Sequence, residues 1–532
     1  MDHPTEENGT KGTGAAIQQM GWMIAAAVVL GIGVDILFHG ERLGISFSLW
    51  AMLSIAAMLL IAWKQAMLPK HVLLLPAAIL VLSAFTAVRL EPMSTALNIA
   101  SVLVLFAVWV RDFRAGQWLD FGWVQLIWSV ISVPVEALFR PWRTLAAVSE
   151  SLAGENQARK MLLAVLRGLL ITIPIVMVFG VLLSAADVIF SDTLENILSW
   201  FDWAWFRDAI GHVLLILFAA LFSLGAMVTA LTDRPVVNKD SRLQKVFPPF
   251  IGMIETFILL GAVDALFLLF VSIQFRYFFG GAENISAAGY TYADYARQGF
   301  SELVLVAFLS LGLILALSRW SKRKERKGWF NGLSVLLVGE VGVMLVSAFN
   351  RLLLYEEAYG FTRLRLYTHA AILWLGITLA AFLVLLLIER IERTVLLAGI
   401  AAVGFILTLD GINVDASIVQ RNHLRYLDSG RLDTGYFLEL SFDAVPAMVE
   451  VLDSVRGDER ETMLANLACQ RTRLDIQMEE SGWPSTHFSR IQADAALTSI
   501  EDELEGYDVN LGDSGWIVRW DGGEQYCGWY WD

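Results

Sequence analysis

The chain has 532 residues, of which 56% are hydrophobic and only 17% are charged, and its formal net charge is −14. Soluble domains carry about 25% charged residues, so the composition excludes an ordinary soluble protein. The acidic balance also argues against a nucleic-acid partner.

Apolar segments long enough to cross a bilayer recur up to residue 409. About 18 apolar residues suffice to cross a hydrocarbon core of roughly 30 Å. We therefore predict an all-α fold, a polytopic transmembrane bundle of about eleven spans over residues 21–409. The predicted spans are Gly21–Phe38, Ile45–Trp63, Val72–Val88, Thr95–Val110, Met161–Leu183, Ala209–Leu231, Phe250–Phe279, Leu303–Leu317, Phe330–Tyr355, His369–Ile388 and Thr394–Leu409. Residues 1–20 form a cytoplasmic tail without a basic n-region, so we expect no cleaved signal peptide.

The segment Phe121–Trp142 is apolar but rich in tryptophan, and Pro134 and Pro141 interrupt it. This composition favours an interfacial helix or a re-entrant piece over a complete span.

Lysine and arginine alternate between successive loops. The even-numbered loops hold twenty of these residues and the odd-numbered loops hold eight. Because basic residues accumulate in cytoplasmic loops, we predict that the N-terminus lies inside and the C-terminus outside a bacterial cytoplasmic membrane.

The composition changes at Asp410, beyond which no segment is apolar enough to span a bilayer. Residues 410–505 carry apolar residues at three- and four-residue spacing, which predicts an extracytoplasmic, mainly helical domain. Residues 506–532 are rich in Trp and Tyr and contain two β-like runs around Gly522 and Gly523, which predicts a β-hairpin. An extracytoplasmic location permits a disulfide between Cys469 and Cys527, and two free thiols are an equal alternative.

The most polar passage between two spans is Asn350–Tyr367, NRLLLYEEAYGFTRLRLY. We predict that Gly360 ends one helix and that Thr362 caps the next. Arg363 and Arg365 then fall in the first turn of that helix, where cations oppose the helix dipole and need an anionic partner.

The partner predicted for these two arginines is local, an ion-pair clamp with Glu356 and Glu357. The alternative is an external anion such as a lipid phosphate or an anionic envelope polymer. Tyr355, Tyr359 and Tyr367 are typical of an interfacial aromatic belt. This turn is the first candidate site.

Ionisable residues inside spans form the second candidate site, because burying a charge in a membrane is costly. Asp264 and Glu340 lie in the middle of two spans and either share a proton, hold a cation, or serve as plain interhelical contacts. Asp35, near the outer end of the first span, either caps a neighbour or faces a cavity.

Motifs for common chemistry are missing from the sequence. It contains no phosphate-binding loop, no His-Glu-x-x-His pair and no Cys-x-x-Cys, and its seven histidines are scattered. We therefore expect no cofactor, no metal site and no catalytic residue, and a non-enzymatic role is favoured.

The passage YEEAYGFTRLRLYTHAAILWL, Tyr355–Leu375, resembles the Tyr-x-x-x-Tyr-Gly-Leu-Thr-x-x-Arg pattern of bacterial multi-pass membrane proteins known as domain of unknown function 4173, close to group 4153. Val34–Trp50, Asn413–Tyr426, Gly435–Glu450 and Ser481–Leu497 are similar to other parts of that group. The resemblance implies a bacterial cytoplasmic membrane protein with a helical extracytoplasmic tail and brings no established activity.

Three functions are compatible with these features. The first is a non-catalytic sensor, scaffold or accessory protein of the cell envelope, with the bilayer, another envelope protein or an anionic lipid as partner. The second is an ion- or proton-coupled transporter or channel that uses Asp264 and Glu340. The third is a lipid-linked transferase, ranked last because the first outer loop is short and holds only Asp35 and Glu41 as carboxylates.

Overall fold

A computed structural model describes residues 7–64, 73–153, 187–198, 203–231, 251–278, 300–320, 327–512 and 515–528, with scattered positions between 161 and 186. The helices before residue 413 are α1 (Glu7–Phe38), α2 (Ile45–Lys64), α3 (Leu74–Phe85), α4 (Pro92–Asp112), α5 (Trp123–Ala153), α6 (Val188–Leu198), α7 (Trp203–Leu231), α8 (Met253–Phe278), α9 (Phe300–Trp320), α10 (Lys327–Tyr359), α11 (Arg363–Leu387) and α12 (Thr394–Ile412). Among the described residues, eight helices are long and apolar enough to cross a membrane, and two shorter ones, Leu74–Phe85 and Glu302–Ser318, are also apolar.

Ten of the eleven predicted spans coincide with one of these helices. The predicted span Met161–Leu183 falls largely outside the described residues. The interrupted segment Phe121–Trp142 lies within α5, which contains Pro134 and Pro141 and is not among the membrane-crossing candidates. This agrees with the prediction that this segment is not a span.

The bundle has two apolar cores. The first joins α1–α4 and α7 with parts of α5 and α12, and the second joins α8–α11. Glycine allows α1 and α7 to approach closely, since a Cβ on Gly31 would lie only 2.5 Å from the carbonyl oxygen of Ile216. The relative position of α1 and α7 therefore depends on this glycine.

We call residues 413–528 the C-terminal domain. The domain follows α12, and the chain turns at Asn413, where φ is 47°. Its helices are α13 (Val414–Ser429), α14 (Val445–Val451), α15 (Asp458–Glu479) and α16 (Phe488–Thr498), with four-residue helices at Thr434–Phe437 and Glu501–Leu504. They surround a core that includes Phe437, Met448 and Leu467.

The domain ends in a three-stranded antiparallel sheet of β1 (Asp508–Gly512), β2 (Gly515–Trp520) and β3 (Gly523–Gly528). The predicted hairpin is β2–β3, in which Trp520 pairs with Gly523, and β1 adds a third strand that the sequence did not reveal. A disulfide between Cys469 and Cys527 joins α15 to β3 and decides between the two alternatives left open for these cysteines.

Among the residues that the structure describes, three loops of the bundle contact the C-terminal domain. They are residues 39–44 between α1 and α2, residues 86–91 between α3 and α4, and residues 360–362 between α10 and α11. These loops therefore share one side of the bundle, here called the domain-bearing face.

Candidate functional site

The turn between α10 and α11 adopts part of the predicted geometry. Gly360 follows the end of α10 with a φ of +81°, a left-handed conformation that favours glycine. A Cβ at this position would also lie 2.7 Å from Oδ1 of Asn422. The prediction that Gly360 ends the helix is confirmed. Thr362 stands at the N-cap position of α11, but its side chain makes no capping hydrogen bond, so the capping prediction is wrong on that point.

Arg363 forms its ion pair with the C-terminal domain and not with the neighbouring glutamates. Its Nε lies 2.7 Å from Oδ1 of Asp415 and its Nη2 lies 2.6 Å from Oδ2, a bidentate pair. Asp415 is fully buried and also accepts a hydrogen bond from the Ser441 amide at 2.8 Å. The predicted clamp with Glu356 and Glu357 is therefore wrong for Arg363, because a domain distant in sequence supplies a better placed carboxylate.

Arg365 is held within the turn. It donates to the Gly360 carbonyl and its guanidinium lies 4.1 Å from the ring centroid of Tyr355. Tyr355 in turn packs edge-on against Tyr359, with ring centroids 5.0 Å apart. Glu356 is fully buried and its carboxylate lies 3.2 Å from Nδ1 of His369, so its basic partner is His369 and not the arginines.

Side chains of helix α13 form hydrogen bonds with the backbone of this turn. The Asn422 side chain accepts from the Phe361 amide at 2.8 Å and donates to the Phe361 carbonyl at 2.9 Å. Arg425 donates to the carbonyls of Glu357 and Ala358, both at 2.9 Å. The last carbonyls of a helix have no partner inside that helix, so these bonds satisfy the end of α10.

The contact between the bundle and the C-terminal domain is here called the junction. Buried carboxylates extend it toward α4 and α12. Glu91 accepts from the amides of Met93 and Ser94 at the start of α4, and the Tyr367 hydroxyl donates to it. Tyr367 is therefore a junction residue, which corrects the prediction that it belongs to an aromatic belt. Asn98 donates to both carboxylate oxygens of Asp410 at 3.0 Å.

Asp443 completes this set of carboxylates from the side of the C-terminal domain. It accepts from the amides of Leu90 and Glu91 at 2.7 and 2.9 Å, and Arg89 lies 3.9 Å away. Burial raises the pKa of Asp443, although the hydrogen bond from Leu90 opposes that rise. We call Glu91, Asp410, Asp415 and Asp443, with the basic and polar groups that bind them, the junction network.

The chain near Ser485 docks on the loop between α1 and α2. Ser485 donates to Glu41 at 2.7 Å, and the Ile45 amide donates to the Thr486 carbonyl at 3.0 Å. Gly44 allows this contact, because a Cβ there would lie 2.6 Å from the Thr486 oxygen. His487, which is 2% exposed, lies 3.1 Å from the Thr86 carbonyl through Nε2 and accepts from the Ser489 amide through Nδ1.

Asp264 and Glu340 are both buried beside the second core. They lie on helices α8 and α10, which pack against each other. They are 3% and 4% exposed, and neither has a hydrogen-bond partner among the described residues. They therefore form a pair of buried carboxyl groups, here called the intramembrane pair.

A polar contact also joins α8 to α10. Ser347 donates to Oε1 of Gln274 at 3.2 Å, and Arg351 donates to the same oxygen at 2.9 Å. Because Asp264 precedes Gln274 and Glu340 precedes Ser347, α8 and α10 run in the same direction. At a rise of 1.5 Å per residue, this contact lies roughly 10–15 Å from the intramembrane pair, toward the domain-bearing face.

Asp35 belongs to neither of these places. It accepts a hydrogen bond from His212 of α7 at 2.8 Å, beside His39. The sequence candidates thus divide among the turn, the intramembrane pair and the Asp35 region. Sequence reasoning missed Asp415, Asp410, Asp443 and Glu91, although Glu91-Pro92 carries a usable signal, an acidic residue followed by proline at a helix start.

The apolar helices and their polar junction define the class of this protein, an integral membrane protein with several candidate spans. Within that class, the chain belongs to the family described as domain of unknown function DUF4153, whose model matches residues 74–451. This is the group that the sequence resemblance placed nearby, and membership of group 4173 is not confirmed. Searches of curated proteins and of solved structures found no match.

Proposed function

We propose that the protein is a membrane transporter or channel that moves protons or cations through the intramembrane pair, which is its ion-binding site. The observation that carries the proposal is the burial of both Asp264 and Glu340 on two packed helices, without a hydrogen-bond partner among the described residues. Two carboxylates cannot both stay charged in such surroundings, because burial and mutual repulsion each disfavour ionisation. The pair therefore binds a proton or a monovalent cation.

The polar contact of Gln274, Ser347 and Arg351 supports this proposal. It lies on the same two helices, between the intramembrane pair and the domain-bearing face. Polar groups at membrane depth commonly mark the path of an ion. We infer that an ion reaches the pair from that face. The sequence ranks transport second, and the packing of the two carboxyl groups raises it to first.

The direction of threading is part of the proposal. We propose a bacterial cytoplasmic membrane with the N-terminus inside and the C-terminal domain outside. The uneven loop charges support it, and so does the disulfide between Cys469 and Cys527, since disulfides persist in oxidising compartments. Protease access to a tag fused after Asp532 in spheroplasts tests it, and a protected tag would overturn the orientation.

Proton binding and flux can be measured on the purified full chain. In proteoliposomes that enclose a pH-sensitive dye, we expect an imposed pH gradient to decay faster than in empty vesicles. Asp264→Asn and Glu340→Gln should each abolish the difference. Glu255→Gln is the matched control, because Glu255 lies on the same helix α8 but is exposed. A flux that survives both substitutions, or no flux above empty vesicles across proton and sodium gradients, would contradict the proposal.

A second candidate function is a non-catalytic sensor, scaffold or accessory protein of the envelope. The observation that favours it is the docking of the C-terminal domain on three loops through buried bonds such as Arg363–Asp415. Such a junction would transmit or display a binding event at the domain-bearing face. If a cell phenotype of the deletion is restored by the Asp264→Asn/Glu340→Gln variant but not by a variant without this docking, the second candidate replaces the first.

A further inference from the structure

Three arginines lie together where the C-terminal domain docks on the loop between α1 and α2. Arg42 belongs to that loop, Arg473 to α15 and Arg490 to α16, and α15 packs against α16. Ser485 joins two of them, because its hydroxyl accepts from the Arg42 amide at 2.7 Å and its carbonyl accepts from Nη1 of Arg490 at 3.2 Å. We call Arg42, Arg473 and Arg490 the arginine cluster.

The charges of the arginine cluster act on one another. Burial, and then the charge of Arg42, lowers the pKa of Arg473. Burial, and then the charges of Arg42 and Arg473, lowers the pKa of Arg490. A nearby like charge disfavours the charged form of a group, yet arginine stays protonated in proteins. The three guanidinium groups therefore repel each other and would be stabilised by an anion.

The carboxylates of this region leave two of the three arginines unpaired. Glu480 accepts from Nη2 of Arg42 at 3.0 Å. Glu41 accepts from the Ser485 hydroxyl at 2.7 Å. In the part of the chain that the structure describes, no carboxylate forms an ion pair with the other two arginines of the cluster. The protein itself therefore supplies a counter-ion for Arg42 alone.

Two guanidinium groups of the cluster also carry a buried N–H group without an acceptor. Arg490 is only 8% exposed, and its Nε has no hydrogen-bond partner among the described residues. Nε of Arg473 is buried and unpartnered in the same way. The Arg473 guanidinium lies 5.6 Å from the ring centroid of Phe442, a cation–π contact that holds it in place. A buried charged donor without an acceptor is unfavourable, so a ligand oxygen is expected here.

We propose that the arginine cluster binds a phosphate group, carried by an anionic lipid or present as free phosphate. Guanidinium groups donate in a fixed fork that matches phosphate, and the several oxygens of one phosphate can accept from different arginines. The negative charge offsets the repulsion within the cluster, and the oxygens provide acceptors for the unpartnered Nε atoms. The arginines of the turn, Arg363 and Arg365, have their partners within the protein, so this is a separate site.

The position of the cluster favours a lipid as the source of the phosphate. Arg42 lies in the short loop between α1 and α2, which both contain candidate membrane spans. Nearby, Trp483 and Phe488 are 61% and 51% exposed, and the Phe488 amide donates to the Ala87 carbonyl at 2.9 Å, just beyond α3. Exposed aromatic residues at the ends of spans are typical of the level of lipid head groups. A lipid bound here would link the bundle to α15 and α16, and this role does not depend on the intramembrane pair.

Lipid binding to the purified full chain tests the proposal. The protein is delipidated in a neutral detergent and incubated with phosphatidylglycerol or phosphatidylcholine, and native mass spectrometry counts the bound lipids. We expect one phosphatidylglycerol to be retained in preference to phosphatidylcholine. In a second arm, the thermal unfolding midpoint is compared in sodium phosphate and in sodium chloride of equal ionic strength. A midpoint raised by phosphate, without a retained lipid, would support the site with free phosphate as its ligand.

The double variant Arg473→Gln/Arg490→Gln removes the two guanidinium groups that lack a counter-ion. It should weaken binding of the phosphate ligand by at least about tenfold, because charge-assisted hydrogen bonds are lost. Arg431→Gln/Arg456→Gln is the control matched in charge, because both arginines are exposed on the same domain. This control should bind as the wild type does.

The single variant Arg473→Gln covers the case in which the double variant fails to fold. Arg473 makes no hydrogen bond to a described residue, so without ligand Arg473→Gln should unfold at the same temperature as the wild type or above it, since repulsion is relieved. It should nevertheless bind phosphate more weakly, and Arg473→Lys, which keeps the charge without the fork, should fall between the two. A wild type that neither prefers phosphatidylglycerol nor gains stability from phosphate would overturn the proposal. Binding that Arg473→Gln leaves unchanged would also overturn it.

Discussion

The protein buries carboxylates in two regions, which differ in the hydrogen bonds that these carboxylates accept. In the junction network, Asp415 receives a bidentate arginine and a backbone amide, and Asp443 receives two backbone amides. In the intramembrane pair, Asp264 and Glu340 receive no hydrogen bond from the described residues. A carboxylate that accepts several hydrogen bonds holds its surroundings in place, whereas we propose that the two carboxyl groups without such bonds exchange a proton. The comparison separates a structural junction from a candidate working site.

The largest effect is expected from breaking the junction network. Arg363→Ala leaves Asp415 buried and charged without its guanidinium, which should destabilise the protein by about 3–5 kcal/mol. Chemical denaturation of the purified chain, followed by tryptophan fluorescence, measures the change. The neighbouring Arg365→Ala should cost about 1 kcal/mol, since Arg365 donates to a backbone carbonyl.

A double variant sharpens this prediction. Arg363→Met with Asp415→Asn removes both charges and should recover part of the lost stability, because no unpaired ion remains buried. Equal losses for Arg363→Ala and Arg365→Ala, or no recovery in the double variant, would show that the network does not hold the junction.

The next effect concerns the far end of the C-terminal domain. Replacing Cys469 and Cys527 by serine opens a covalent link across 58 residues, and the loss should be about 2–4 kcal/mol. Limited proteolysis with mass spectrometry should then find new cleavage after residue 505, with the junction still protected. Cleavage spreading at once to the 360–363 turn would mean that the sheet and the junction unfold as one unit.

Protonation of His487 gives an effect that depends on pH. Burial, and then the charge of Arg490, lowers the pKa of His487 from 6.5 to about 4. The unfolded chain therefore binds this proton more readily than the folded chain. The contribution of neutral His487 to the free energy of unfolding is complete above pH 6.5 and is lost as the pH falls toward 4. A shift of this size corresponds to roughly 3 kcal/mol.

Thermal unfolding between pH 4 and pH 7 measures this contribution. The His487→Asn variant keeps an acceptor for the Ser489 amide but has no titrating ring, so its midpoint should change less across that range. If the unfolding midpoints of the wild type and the variant change in parallel with pH, His487 does not cause the pH dependence of stability.

The smallest effect on stability is expected at the intramembrane pair. Asp264→Asn and Glu340→Gln remove no hydrogen bond to a described residue, so the free energy of unfolding should change by less than about 1 kcal/mol. The same variants are expected to lose proton flux, and that contrast distinguishes a working site from a structural one. A loss above 3 kcal/mol would place the pair with the junction network instead.

The sequence predicted secondary-structure elements better than it predicted which side chains interact. Gly360 was assigned correctly because a helix break is a local property of glycine, and the hairpin β2–β3 was assigned from its alternating residues and the turn at Gly522. The partner of Arg363 was assigned wrongly because the sequence shows only neighbours along the chain, and the two nearest glutamates were favoured over an external anion. Its actual partner lies 52 residues away.

The contact between Asp35 and His212 illustrates the same limit. His39 and His212 appeared scattered because the chain separates Asp35 from His212 by 177 residues. Only the approach of α1 and α7 at Gly31 brings the two side chains together.

What the sequence determined alone is the membrane character and the approximate positions of the helices. Hydropathy is a sum over neighbouring residues, so about twenty positions decide each span. What only the tertiary structure decided is which charge meets which, as in Asn98 with Asp410, 312 residues apart. Electrostatic interactions depend on distance in space and on burial, and helix packing sets both.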